Sequence, residues 1–182
     1  MQSNIIIIDD FYSNPDLVRN FALSQSFDIL GNYPGSRTTS FLTEDVKNII
    51  QRIVMPHGGN ITEWFTQDGF SGSFHIDTSR DRGIIHIDPF NTWGGICYLT
   101  PNAPPTGGLG IYRHRATGNY FADDKPYEFQ DVTKWDLIDV IANKYNRLVL
   151  YKNKMFHSNM DYFGSGPEDG RLAQLFFFNT EF

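Results

Sequence analysis

The chain has 182 residues, 40% hydrophobic and 15% aromatic, with 15 basic against 21 acidic side chains and a formal charge of −6. That is a single domain's length with ample core-forming side chains, which excludes intrinsic disorder; its one cysteine, Cys97, excludes a disulfide framework. The acidic balance speaks against binding nucleic-acid phosphates, and no apolar run approaches the roughly 20 residues of a membrane span.

In chain order, Met1 to Asn4 lacks the positive region of a secretory signal. With the lone cysteine, this points to a reducing, cytoplasmic setting. Ile5 to Ile8 is a β-branched run that reads as a buried strand. Ser13-Asn14-Pro15-Asp16 opens a helix: a polar cap, a proline in the first turn and an acid near the positive dipole end. Leu17, Val18, Phe21 and Ala22 then recur on one face. A second helix opens near Thr43 and carries Val46, Ile49, Ile50, Ile53 and Val54 on one stripe. Pro56 is expected to stop it, with a turn at 57–60. From Asn60 onward the pattern changes to short strands at 61–65, 70–76, 84–87, 94–99 and 110–113. Residues 101–108 form a loop rich in proline and glycine. Thr133 precedes Trp135, Ile138 and Ile141, a spacing that fits either a third helix or a strand. Residues 147–151 and 172–178 are the last strands, built from side chains that favour sheets. The order predicts a mainly β, single-domain fold with flanking helices. Residues 1–59 would be a helical support and 60–182 a sandwich or barrel.

Two His-x-Asp pairs occur, His75-Ile76-Asp77 and His86-Ile87-Asp88. Residues i and i+2 of a strand share a face, so each pair can offer an imidazole and a carboxylate to one ion. A third ligand from a distant strand would complete a 2-His-1-carboxylate set, which suits Fe(II) and leaves positions open. Either pair alone is a weak signal. The stretch after Asp88 is more specific: the strand Trp93-Gly94-Gly95-Ile96-Cys97-Tyr98-Leu99-Thr100, a Gly107-Gly108 turn, an apolar strand, Met155-Phe156-His157-Ser158, and Gly170-Arg171 opening the last strand.

This order resembles the Fe(II)/2-oxoglutarate-dependent dioxygenase superfamily, in its prolyl-hydroxylase-like branch with small bacterial and phage members. The resemblance spans roughly residues 70–180, and the Ile-Ile-Asp-Asp-Phe opening suits the same branch. It implies a double-stranded β-helix, or jelly roll, with His86, Asp88 and His157 as the iron ligands of the catalytic centre. Arg171 would hold the distal carboxylate of 2-oxoglutarate, as a guanidinium fork matches a carboxylate, and Tyr98 would add a hydroxyl. The chain departs from the branch in having no tyrosine across 79–85, Arg171 where many members carry lysine, and Ala173 where some carry serine or threonine. The implied activity is hydroxylation of a small molecule or peptide with release of succinate and carbon dioxide. Neither a nucleic-acid nor a membrane partner is expected.

The alternative is a cupin-like metal-binding jelly roll, an isomerase or a binding module, which would need neither Arg171 nor an open metal face. A purely structural jelly roll is a third. Smaller expectations attach to other residues. Arg113-His114-Arg115 could meet an anion, and Asp77 could touch substrate. Arg171 could instead pair with Glu168 or Asp169. Residues 118–131, with Tyr120, Phe121, Tyr127 and Phe129, could be a lid or could pack on the barrel. Trp93 and Cys97 read as packing residues.

Overall fold

The computed structural model describes residues 3–182. The elements in chain order are β1 (Ile5–Ile8), α1 (Pro15–Leu23), β2 (Ile29–Gly31), β3 (Tyr33–Ser40), α2 (Glu44–Gly58), β4 (Asn60–Trp64), β5 (Ser73–Asp77), β6 (Trp93–Tyr98), β7 (Leu109–His114), β8 (Trp135–Ile141), β9 (Leu148–Lys152), β10 (His157–Asn159) and β11 (Arg171–Glu181). Both helices begin where side chains satisfy orphan amides: Asn14 accepts from the Leu17 N–H and Thr43 from the Val46 N–H.

The strands form two antiparallel sheets. The larger runs β1-β9-β6-β11-β5-β3-β2, with β4 pairing the far end of β11, and the smaller runs β10-β7-β8. Beside β10, His86 makes an isolated bridge to His157. The chain therefore passes from β5 in the large sheet to His86 in the small one, back to β6, across to β7 and β8, back to β9, across to β10, and home to β11. That winding is a double-stranded β-helix.

Side-chain alternation sorts the core into layers. On β11, Leu172, Phe176 and Phe178 face the helices, where Ala22, Ile50 and Val54 meet them. Ala173, Leu175 and Phe177 face inward, toward Leu109 and Ile111 of the small sheet and Ile96 and Val149 of the large one. A third cluster, Trp135, Phe156, Tyr127 and Phe129, covers the outer side of the small sheet. Residues 118–131 thus pack on the barrel rather than standing free of it.

Several elements differ from the sequence reading. The strand at Ile5–Ile8 forms, but at the sheet edge and only half-buried, because it pairs with β9 on one side alone. On α1 only Ala22 is fully buried, and Leu17 is 65% exposed. Pro56 does not end α2. A proline in the last turn forfeits one amide bond but keeps a helical φ, and the helix closes at Gly59, whose N–H reaches the Met55 carbonyl at φ 85°. Residues 84–87 supply one bridge, not a strand. Trp135–Ile141 is a strand, and Thr133 lies in a short 3₁₀ turn before it. β2 and β3 were not expected, since Pro34, Gly35 and two serines mask their pattern. With β1 they put three strands from before residue 60 into the large sheet, so that segment is not a helical support alone. Among the described residues, no helix is long and apolar enough to cross a membrane.

Phe176 is fully buried where β11 meets the helices. Phe176→Ala is expected to cost about 3–5 kcal/mol, read as a lower urea midpoint at unchanged slope.

Candidate active site

His86 and His157 are locked together by their own backbones. The His86 N–H donates to the His157 carbonyl at 2.9 Å, and the His157 N–H returns to the His86 carbonyl at 3.1 Å. Two residues on, the Asp88 N–H donates to the Asn153 carbonyl at 3.0 Å. These bonds do what a regular strand would have done: they keep His86 and Asp88 on one face, opposite β10.

The three side chains converge. His157 Nε2 lies 3.4 Å from Asp88 Oδ2, His86 Nε2 4.0 Å from Asp88 Oδ1, and the imidazole centroids are 4.4 Å apart. One ligand atom from each falls within 4.8 Å of the others, a spacing at which a single metal ion can be held. Among the described residues this is the group of three or more such side chains that could do so. Both tautomers are set from behind. Nδ1 of His86 is 2.9 Å from the Ile84 carbonyl, and Nδ1 of His157 is 2.8 Å from the Met155 carbonyl. A carbonyl only accepts, so each Nδ1 carries a proton, which makes Nε2 the lone-pair atom of the neutral ring. His157 Nε2 is buried and has no hydrogen-bond partner among the described residues.

Charge follows the same geometry. Burial pushes the Asp88 carboxyl up, but His157, His86 and the Arg37 guanidinium outweigh it and hold it below 3.8. Burial, then the neighbouring His157, keeps His86 below 6.5 and so favours its neutral form. The centre is a carboxylate flanked by two imidazole Nε2 atoms. Tyr151 walls one side, its ring 4.6 Å from His157. Gly94 allows this: a Cβ there would meet that ring at 2.8 Å and the Asn153 amide closer still.

Arg171 and Tyr98 lie on the inner face of the large sheet, on β11 and β6. Arg171 opens β11 opposite Asp77 of β5, and Tyr98 pairs with Ala173, two residues further on. Arg171 is 1% exposed. Its Nε donates to the Gly107 carbonyl at 2.9 Å, its Nη2 to Asn159 at 2.8 Å, and its Nη1 to Asp77 at 3.0 Å. Its ion-pair partner is therefore Asp77, and neither Glu168 nor Asp169. A guanidinium has five N–H donors, so two remain. The Tyr98 ring sits 5.3 Å from the Arg171 guanidinium carbon, and its hydroxyl is buried without a partner. Burial pushes that phenol up, so it stays a donor.

His75 and Asp77 join no third ligand. His75 Nε2 donates to the Pro34 carbonyl at 2.8 Å and lies 3.2 Å from Asp77 Oδ1. Burial raises the Asp77 carboxyl, but His75 and Arg171 outweigh it. The Arg113-His114-Arg115 cluster is also spoken for. Both arginines bond Asp136, at 2.8 and 2.6 Å, and His114 packs on Tyr127 and Trp135. Trp93 and Cys97 are core residues, and burial pushes the Cys97 thiol up, away from reactivity.

No family model and no curated protein matches the chain. Solved structures do. HygX from Streptomyces hygroscopicus, with nickel, 2-oxoglutarate and hygromycin B bound, superposes with a TM-score of 0.64 at 9% identity, covering 100% of this chain and 84% of that one. The fold is that of the iron- and 2-oxoglutarate-dependent oxygenases. SnoN, a non-heme α-ketoglutarate-dependent epimerase from nogalamycin biosynthesis, gives 0.62 at 9% identity, covering 98% and 77%. A Trichoplax adhaerens prolyl hydroxylase, in complex with a hypoxia inducible factor peptide fragment, gives 0.57 at 16% identity, covering 96% and 83%. This oxygenase fold is the double-stranded β-helix derived above from strand order. HygX has also been solved with iron bound.

The buried Asp77–Arg171 pair yields a stability prediction. Asp77→Asn leaves Arg171 poorly compensated and is expected to cost about 3–5 kcal/mol at pH 7. Asp77 ionises below its ordinary 3.8 in the fold, so its contribution is complete above that pH and fades as pH falls through the lowered value. Urea unfolding at pH 7 and pH 3 should show the gap between wild type and variant shrinking in acid.

Proposed function

We propose that this protein is an Fe(II)/2-oxoglutarate-dependent oxygenase, and that it hydroxylates its substrate. The observation that carries the reading is the set of polar groups between the two sheets that have no partner among the described residues. His157 Nε2 stands beside Asp88 and His86; the Tyr98 hydroxyl and two spare Arg171 N–H bonds stand on the large sheet. Buried polar atoms without partners are rare in folded proteins, and here they match a ligand that chelates a metal and carries a carboxylate at its far end.

His86, Asp88 and His157 would hold the iron. Two neutral imidazoles and one carboxylate suit Fe(II) and leave coordination positions for other ligands. With 2-oxoglutarate and dioxygen, the bound metal supplies oxidation of a C–H bond: one oxygen atom enters the substrate as hydroxyl and the other enters succinate, with carbon dioxide released. The chain's own residues do the rest. The Ile84 and Met155 carbonyls hold both imidazoles with Nε2 forward. Asp88 supplies one negative charge. Arg171 and Tyr98 present donors to the distal carboxylate, and Asp77 and Asn159 fix the guanidinium so that it need not reorganise on binding. Leu109, Ile111, Ile96 and Val149 keep water from the interior. The substrate is a small molecule or a peptide. Neighbours of both kinds share the fold, one with hygromycin B bound and one in complex with a peptide fragment.

The test is anaerobic titration with Fe(II), then 2-oxoglutarate, read by the visible charge-transfer band of the chelate. The band is expected in wild type and absent in His157→Ala and Asp88→Ala. Arg171→Lys should weaken 2-oxoglutarate about ten- to hundredfold while leaving iron affinity nearly unchanged, since a charged hydrogen bond is lost at one end only. Iron bound with no band on adding 2-oxoglutarate would sink the reading.

A further inference from the structure

A second guanidinium enters the chamber. Arg37 pairs with His75 across β3 and β5, and its side chain lies on the inner face. It is 8% exposed. Its guanidinium carbon lies 3.5 Å from the Tyr33 ring centroid and 5.9 Å from that of Phe177, an inward residue of β11. Nη1 donates to the Gly69 carbonyl at 2.6 Å, the only protein acceptor it has among the described residues. Nε is buried with no partner. Asp77 lies against Arg171 and His75 and Asp88 against His157 and His86, and among the described residues no carboxylate oxygen comes within 4.0 Å of an Arg37 nitrogen. Arg37 is thus a buried cation with no ion-pair partner among the described residues.

Such a charge is costly. Taking a cation out of water costs several kcal/mol unless an anion answers it. Burial does lower the Arg37 pKa, and Tyr33, Asp88 and Asp77 offset this only in part. Arginine does not release its proton on that account. What remains free is the Nε–Nη2 edge, two parallel N–H bonds that match the two oxygens of a carboxylate. Tyr33 stacks on the guanidinium plane and Gly69 holds its other nitrogen, so this edge has a set direction.

We propose that Arg37 binds a carboxylate beside the His86–Asp88–His157 group, and that the substrate of this protein carries that carboxylate. Placing the substrate there rests on the oxygenase reading; the carboxylate site itself does not. The same chemistry could be met by a carboxylate of 2-oxoglutarate, and the experiment separates the two.

Arginine Nε–H resonances are followed by ¹⁵N–¹H NMR, with the Arg37 signal assigned by its loss in Arg37→Lys. Sodium acetate is titrated at constant ionic strength against chloride, first into metal-free protein and then into protein loaded with Zn(II) and 2-oxoglutarate. The expected result is a saturable shift of the Arg37 signal with acetate, in both states. In Arg37→Gln, followed through the backbone amide signals of Tyr33 and Gly69 that flank the guanidinium, acetate should bind about tenfold or more weakly, the loss of a charged hydrogen-bond pair. If Zn(II) and 2-oxoglutarate alone move the signal and acetate adds nothing, the carboxylate belongs to the cosubstrate and the substrate assignment falls. If acetate never moves the wild-type signal, Arg37 is a structural residue and the proposal is wrong. Failure of 2-oxoglutarate to bind while acetate still acts on metal-free protein would fault the oxygenase reading alone.

Discussion

The structure depends on one strand that is buried on both faces. Eight consecutive residues of β11, Arg171 to Phe178, are shielded from solvent. A strand so placed must satisfy two environments with a period of two residues. Its even-numbered residues, from Leu172 to Phe178, serve the helix-covered core, while Arg171, Ala173, Leu175 and Phe177 line the space between the sheets. A one-residue slip would exchange these sets, putting Arg171 against Ile50 and Phe74 and emptying the chamber of its cation. Pairing with β6 on one side and with β5 and β4 on the other holds the register. The same pairing sets Asp77 opposite Arg171 and Tyr98 opposite Ala173.

Electrostatics in the chamber are arranged by distance more than by count. Asp77 neutralises Arg171 at 3.0 Å, which makes a fully buried guanidinium tolerable and rigid. It does not consume the guanidinium's hydrogen-bonding capacity, because a fork with five donors can satisfy one carboxylate, one amide and one carbonyl and still bond another group. Asp88, by contrast, has the two imidazoles within 4.0 Å and no guanidinium that close, although the charge of Arg37 still reaches it. Arg37 completes the set at the chamber's side. The backbone around the histidines holds them in place. The two histidines exchange backbone bonds with each other, and their Nδ1 protons go to carbonyls two residues back.

Much of the fold was legible in the sequence where local chemistry decides it. Asn14 and Thr43 cap their helices because a side-chain oxygen three residues before an orphan amide can reach it. Strands β6, β9 and β11 are dense in β-branched and aromatic residues. Where local signals misled, tertiary pairing won. Pro56 is tolerated in a final turn; at Trp135–Ile141, where the spacing left helix and strand both open, β7 lies alongside to share hydrogen bonds and makes it a strand. β3, with a proline, a glycine and two serines, is extended because β5 pairs with it. That concealment also hid Arg37, since a residue with no assigned element has no assigned face.

The sequence by itself offered the donor types, and the resemblance it carries singled out which of them to expect together. Two imidazoles and a carboxylate in His-x-Asp…His order, an arginine opening the last strand and a tyrosine on the strand after the aspartate are properties of residue type and spacing. Only the tertiary structure decided which groups face each other. His86 meets His157 across 71 positions and Asp77 meets Arg171 across 94, through sheet register, which no local interaction encodes. The partner of Arg171, the unpaired edge of Arg37 and the grouping of His86, rather than His75, with His157 and Asp88 follow from that register. Each depends on which strand lies alongside, a matter settled by the burial of whole faces rather than by any short stretch of chain.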